Sequence, residues 1–337
     1  MLLKSVMLVE SEATQLGHAH AGSRLTALDQ VANRPIVHHV LDGLREASPG
    51  GIIVAGEADA LIDIRACLRE YEPALESVEY VVCHSGVGIA SGLRAIAALV
   101  GDAPCLIQPA DGLLDQPVTT LIALLADGSP DLVLCAARQG ENALGGRGDT
   151  TADIGVFGPG ALAWATELLS SVGNGDLAFV GDQLAAAGGQ VTLHLVDGWH
   201  RYRGRGWDLL TLNRVALDRL LGSIPSSAQF GNRFEGRVLI DPTATVRSSV
   251  ITGPSVIGPG ATVIDAYLGP YTAIGARARI EGVEIERSIV APGANVMHVG
   301  GRLVSSIVGR DARVYRDFSL PRAMRVWVGD GDEVALC

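Results

Sequence analysis

The chain has 337 residues, 48% of them hydrophobic and 19% charged, which is enough for two domains that each bury a core. A formal net charge of -11 excludes the clustered Lys and Arg of a nucleic-acid or anionic-membrane surface, so an acidic metabolite would need local basic spots. Five cysteines (Cys67, Cys83, Cys105, Cys135, Cys337), without a Cys-x-x-Cys pair, indicate neither a disulfide framework nor a zinc site and point to reduced thiols in the cytoplasm.

The opening MLLKSVMLV is too short and too soon acidic for a signal peptide, and no apolar run reaches membrane-spanning length, so no membrane partner is expected. Residues 5–9 read as a buried parallel strand. The loop that follows carries Glu10 and Glu12, then a His-x-His pair, His18 and His20, the nearest approach to a metal-binding spacing in the chain. Pro35 then opens a helix in which Ile36, Val40, Leu41 and Leu44 recur at helical spacing, with His38 and His39 expected to straddle its surface.

Strand and helix alternate from there: strand 51–56, helix 59–71, strand 78–82, helix 88–101, strand 104–111 ending at Asp111, helix 117–128 and strand 131–137. Such alternation predicts a mostly parallel sheet covered on both faces, with ligands at the carboxyl ends of its strands, where Asp111 and the loop after Val9 would share a rim. The pattern loosens near 140–150 and resumes with ADIGVF, helices from Pro159 and around 176–188, strand 190–196 and a long helix over 208–221. A turn-rich stretch then marks a boundary.

Beyond it, aliphatic residues recur roughly every six positions: Ile240, Val246, Ile257, Val263, Leu268, Ile274, Ile280, and later Val308 and Val314. That period predicts a parallel β-helix of hexapeptide repeats, weakening at 283–307, where an inserted loop or an off-pattern coil is expected. The stretch 318–331 is read as its terminal cap. The expected organisation is an α/β domain over 1–221, a linker over 222–237 and a β-helix domain with its cap over 238–337.

Several stretches resemble one family, the sugar-1-phosphate nucleotidylyltransferases, and most closely the long-form glucose-1-phosphate thymidylyltransferases. Val31-Ala-Asn-Arg-Pro35 is similar to the family's Val-Ala-Asn-Lys-Pro. Residues 80–90 look like its base-binding segment, ending in a Gly-x-Ala step at Gly88, and Asp111 matches the aspartate that holds Mg²⁺. The block GWHRYRGRGWDLLTLNR (198–214) is similar to the family's stretch that carries a second metal-binding aspartate. The resemblance implies a Rossmann-like, mostly parallel nucleotidyltransferase domain followed by a left-handed β-helix, Mg²⁺ as cofactor of an active enzyme, and a nucleotide or sugar phosphate as ligand.

The family's reaction joins a nucleoside triphosphate to a sugar 1-phosphate and releases pyrophosphate, so it needs backbone N–H donors, cations and a metal between two polyanions. Here the glycine-rich phosphate loop reads Glu10-Ser11-Glu12-Ala13-Thr14-Gln15-Leu16, with Glu10, Ser11 and Ala13 replacing glycines and Gln15 replacing arginine. Two carboxylates facing a triphosphate would repel it by several kcal/mol at intermediate dielectric. The family's lysine falls near Thr26, with Arg24 two residues away as a partial substitute, its base-reading glutamine is Cys83, and its second metal aspartate is Tyr202, a poor ligand for Mg²⁺.

These departures predict a nucleotidylyltransferase homologue whose chemistry is lost or impaired, retained for ligand binding or assembly as a homo-oligomer or beside an active paralogue. Candidate ligand-binding residues are Arg24, Gly88, Asp111 and the alternating Arg201, Arg203 and Arg205, with Asp111 the metal candidate. Two alternatives stay open: an active, divergent transferase on an unusual substrate, and a β-helix acyltransferase that binds coenzyme A, with His298 as base.

Overall fold

The computed structural model of the chain describes residues 2–10, 25–47, 50–71, 78–83, 88–125, 129–137, 152–169, 177–196, 198–228 and 231–316. The expectations for Ser11, Glu12, Ala13, Gln15, His18, His20, Arg24 and the cap at 318–331 lie outside the described residues.

The first part of the chain is a mixed seven-stranded sheet wrapped by helices. In chain order its elements are β1 (Lys4–Val9), the short β2 (Gln30–Val31) and β3 (Arg34–Pro35), α1 (Ile36–Ala47), β4 (Ile52–Gly56), α2 (Ala58–Tyr71), β5 (Val78–Val82) and α3 (Gly88–Val100). Then come β6 (Cys105–Pro109), β7 (Gly112–Leu114), α4 (Thr119–Ala123), β8 (Leu132–Ala137), β9 (Ala152–Phe157), α5 (Ala161–Leu168), α6 (Leu177–Ala186), β10 (Val191–Val196), β11 (Trp199–Arg201) and α7 (Gly206–Asp218). Sheet order is β10-β8-β9-β6-β1-β4-β5, with β9 antiparallel to both of its neighbours and the other pairs parallel.

The central strands are continuous apolar runs because helices cover both of their faces. On one face Met7, Val54 and Leu106 meet Val40, Leu44 and Leu212, and on the other Val6, Ile53 and Ile107 meet Leu93, Ile96 and Leu162. The expectation that His38 and His39 straddle the helix surface is overturned. His38 is only 1% exposed, with Nε2 at 3.5 Å from Cys67 Sγ, and His39 is mostly covered, because α1 is enclosed by the sheet and the elements stacked over it.

The second part is a left-handed parallel β-helix of three five-stranded sheets. Its first strand, Arg233–Glu235, starts inside the 222–237 stretch. Thr245 pairs with Thr262 and Thr262 with Arg279, so successive coils advance by 17 residues, one short of three full hexads. Left-handed backbone at Ser248, Asp265, Arg277 and Arg287 turns the corners. Of the two expectations for 283–307, no inserted loop breaks the sheets between Glu284 and Met297, because Ile285, Val290 and Val296 are buried and strands Glu284–Glu286, Ile289–Val290 and Asn295–Met297 continue the three sheets. The coil is off the 17-residue period, as expected: the step shortens to 16 residues from Ile274 to Val290 and from Arg279 to Asn295, then lengthens to 18 from Glu284 to Arg302, from Ile289 to Ile307 and from Asn295 to Arg313. His298 sits at a corner with φ 50°, half-exposed, 3.7 Å from Glu281.

Candidate functional site

β1 and β6 are adjacent and parallel, Leu8 opposite Pro109, so their carboxyl ends deliver Glu10 and Asp111 to one rim. The chain then reverses into β7, which pairs antiparallel with β11 and sets Arg201 opposite Gly112. A backbone bond from the Tyr202 N–H to the Asp111 carbonyl, 2.9 Å, locks that register. Gly112 is required here, since a Cβ at this position would overlap the Trp199 ring, and that ring is itself fixed by Nε1–H donating to Asp153 Oδ2 at 3.1 Å.

The result is a buried polar cluster. Asp111 is 4% exposed. Its Oδ1 accepts from Arg201 Nε at 2.7 Å, and its Oδ2 accepts from Thr26 Oγ1 at 3.0 Å and from Arg201 Nη2 at 3.4 Å. Arg201 also donates through Nη2 to Glu10 Oε2, and its Nη1 lies 3.8 Å from Asp153 Oδ1. Arg203 Nη2 stands 3.7 Å from the other oxygen of Asp153.

Burial pushes the Asp111 carboxyl above its ordinary range, Arg201 opposes that rise, and the Glu10 charge adds to it. For Arg201, burial works against the charge, but Asp111 and then Glu10 outweigh it and hold the guanidinium firmly protonated. Three carboxylates thus face two guanidiniums on this rim, a poor balance for a polyphosphate.

The structure brings Asp111, Glu10, Thr26 and Arg201 together. Arg203 borders the cluster, while Arg205 is exposed as the residue before α7, with the Arg203 backbone N–H donating to Asp208 Oδ2 at 3.1 Å. Tyr202 is 5% exposed and packs in the apolar core. Cys83, half-buried after β5, has its thiol pushed up by burial, and its backbone N–H donates to the Gly56 carbonyl at 2.8 Å. Gly88 is the first residue of α3. Asp153 and Trp199 were missed by sequence reasoning; the signal for Asp153 was a lone acid at the head of an otherwise apolar strand.

These residues do not fit Mg²⁺. Both oxygens of Asp111 are taken by protein donors, the second family aspartate is a buried phenol, and the described residues hold no group of three or more His, Cys, Asp or Glu arranged for a metal. A separate cavity of about 950 Å³ lies between α1, the segment after β7, the end of α7 and the first coils of the β-helix.

No protein-family model matches the chain. It is 25% identical over 354 residues to a glucose-1-phosphate thymidylyltransferase of Streptomyces griseus, covering 97% of this chain and 98% of the relative. It is 26% identical over 364 residues to the low-salt glycan biosynthesis nucleotidyltransferase Agl11 of Haloferax volcanii, covering 99% and 100%. A second thymidylyltransferase, from Streptomyces antibioticus, is 32% identical over 149 residues, 44% of this chain and 42% of that one. A Bacillus anthracis crystal structure named for a glucose-1-phosphate thymidylyltransferase, holding a sucrose, superposes with a TM-score of 0.53 over 66% of this chain and 98% of its own; at 16% identity it speaks for the fold alone. From end to end the chain is similar to two nucleotidyltransferases, one of them a glucose-1-phosphate thymidylyltransferase, and it shares a fold with the solved structure over 66% of its length.

Proposed function

We propose that this chain keeps the nucleotidylyltransferase scaffold without its pyrophosphorylase chemistry, and serves in a sugar-nucleotide type of pathway by binding a nucleotide or sugar phosphate or by assembling with other subunits. The observation that carries this reading is the engagement of Asp111 by Arg201 and Thr26, which leaves its carboxylate no free oxygen for a metal between two polyanions. Glu10 supports it, adding negative charge where the departing pyrophosphate needs cations. An oligomer, either of this chain or with an active paralogue, and a cytoplasmic location belong to the same reading.

The test is pyrophosphate release across nucleoside triphosphates and sugar 1-phosphates in Mg²⁺, beside an active family enzyme. Turnover at least ~10³-fold lower is expected, since loss of even one preorganised charge-stabilising donor costs about that much. Ordinary enzymatic rates would sink the proposal. A divergent active transferase predicts the opposite on the same assay: Mg²⁺-dependent turnover that Asp111→Asn abolishes.

A further inference from the structure

The cavity between the two parts of the chain has a chemistry unlike that of the rim. Val40 and Leu44 of α1, Leu114 of β7, Val118, and Leu239 and Val256 of the β-helix give it apolar walls. Gln108 of β6 also lines it. Side chains alternate along β6, so Gln108 shares the α1 face with Leu106, while Cys105 and Ile107 pack on the other. Gln108 is 5% exposed, and its carboxamide hydrogen-bonds to no described residue. A buried amide without a partner is costly, so one that reaches a cavity points to a ligand there.

Gly43 is a second sign. It lies inside α1, where glycine weakens a helix, and it does not have a positive φ. A Cβ at this position would meet nothing within 4 Å. Neither the backbone nor the neighbours require a glycine here, and the space it leaves belongs to the cavity. We propose that this cavity is a second ligand site, for an uncharged amphiphile: an apolar body ending in a hydroxyl or amide that pairs with the Gln108 carboxamide.

The surrounding charge selects against phosphates. Asp42, Glu46, Asp115 and Asp241 line the cavity, against Arg34 and Arg219. Arg34 is paired with Asp42 at 2.8 Å, and Arg219 Nη2 donates to the Leu114 carbonyl and, at 3.3 Å, to that of Gln116. His39, on the same wall, is kept neutral by its burial. The volume of about 950 Å³ suits a small molecule held mainly by apolar contact, with one polar group fixing its orientation.

The inference goes beyond the proposed function and does not depend on the rim or on turnover there. Nile red, an uncharged dye that brightens in apolar surroundings, is titrated into the full chain. One dye per chain is expected to bind saturably, to be displaced by 1-decanol, and to stay bound in thymidine triphosphate or glucose 1-phosphate. 1-Decanol is also expected to raise the melting temperature. Gly43→Leu is expected to fill the space, abolish dye uptake and melt no lower than the wild type. Gln108→Leu is expected to keep the dye and to bind 1-decanol about fivefold more weakly, the worth of one hydrogen bond between uncharged groups.

No saturable uptake by the wild type, unchanged uptake in Gly43→Leu, or displacement of the dye by either phosphate would overturn the proposal. If Gly43→Leu does not fold, Gln108→Leu decides: 1-decanol bound as tightly as by the wild type overturns it.

Discussion

On α1, His39 donates from Nε2 to the Val31 carbonyl at 3.0 Å, and burial lowers its pKa from 6.5 to about 4, with Arg34 nearby acting in the same direction. The folded chain therefore keeps this imidazole neutral where the unfolded chain would protonate it. Its contribution to stability is complete above pH 6.5 and declines as pH falls toward about 4, by at most ~1.4 kcal/mol per unit. Asp111, whose pKa is raised, acts in the opposite sense just above the ordinary carboxylate range, so the comparison must be between variants. Urea midpoints measured from pH 7 to pH 4 are expected to fall more steeply in the wild type than in His39→Gln, and parallel declines would count against it. The same logic of burial explains what sequence could show at this scale. Glu10 and Tyr202 were legible as wrong residue types for a metal-phosphate site, whereas the Asp111–Arg201 bond spans 90 positions and depends on strand pairing that no local pattern encodes. His38 and His39 were misjudged for a related reason: helical spacing tells which residues share a face, but not how many elements pack around the helix.

Among elements, the β-helix was legible wherever its aliphatic residues kept the beat. As far as Ile285 its period is two steps of six and one of five, so a reader counting strict sixes loses register after each coil. That is why Ile251 and Ile285 went uncounted although both are fully buried, whereas 283–307 looked irregular because its coil steps are 16 and then 18 residues. Packing gives a direct check of the corrected assignment. Ile285→Ala should cost about 3 kcal/mol, as large-to-small changes in a closed core do, and about as much as Ile274→Ala in an undisputed coil. Equilibrium urea unfolding measures both. A loss within ~0.5 kcal/mol, typical of a surface loop, would return this stretch to irregular structure. In the α/β part, Val31-Ala-Asn-Arg-Pro35 resolves into a two-residue hairpin turn between β2 and β3, with φ 47° at Ala32 and 63° at Asn33, the left-handed pair that matches strand twist.

That turn also explains how the molecule holds its two parts in register. Asn33 Nδ2 donates to the Ile274 carbonyl of the β-helix at 2.7 Å. Asn213 of α7, only 1% exposed, accepts from the Ala32 N–H at 2.8 Å and donates to the Tyr271 carbonyl at 3.0 Å, while the Tyr271 hydroxyl bonds Asp218 at 3.2 Å. Val256, Ala273 and Ile289 of the β-helix join the apolar cluster of α1 and α7 beneath these bonds. Two of the stretches that carry the family resemblance, 31–35 and 198–214, therefore touch each other and the β-helix: Asn213 serves the seam, while Asp111 and Arg201 serve the rim. Scaffold and chemistry can diverge separately for that reason, which is how a familiar fold can carry an unfamiliar site. Asn213→Ala would leave the Ala32 N–H and the Tyr271 carbonyl without their partner, at about 1–3 kcal/mol for a buried group left unsatisfied. Because that cost falls on the contact between the parts rather than within either, calorimetry should show one unfolding transition in the wild type. The variant should show two, the β-helix melting apart from the sheet. Two transitions in the wild type, or an unchanged single one in Asn213→Ala, would mean that the apolar contact alone couples them.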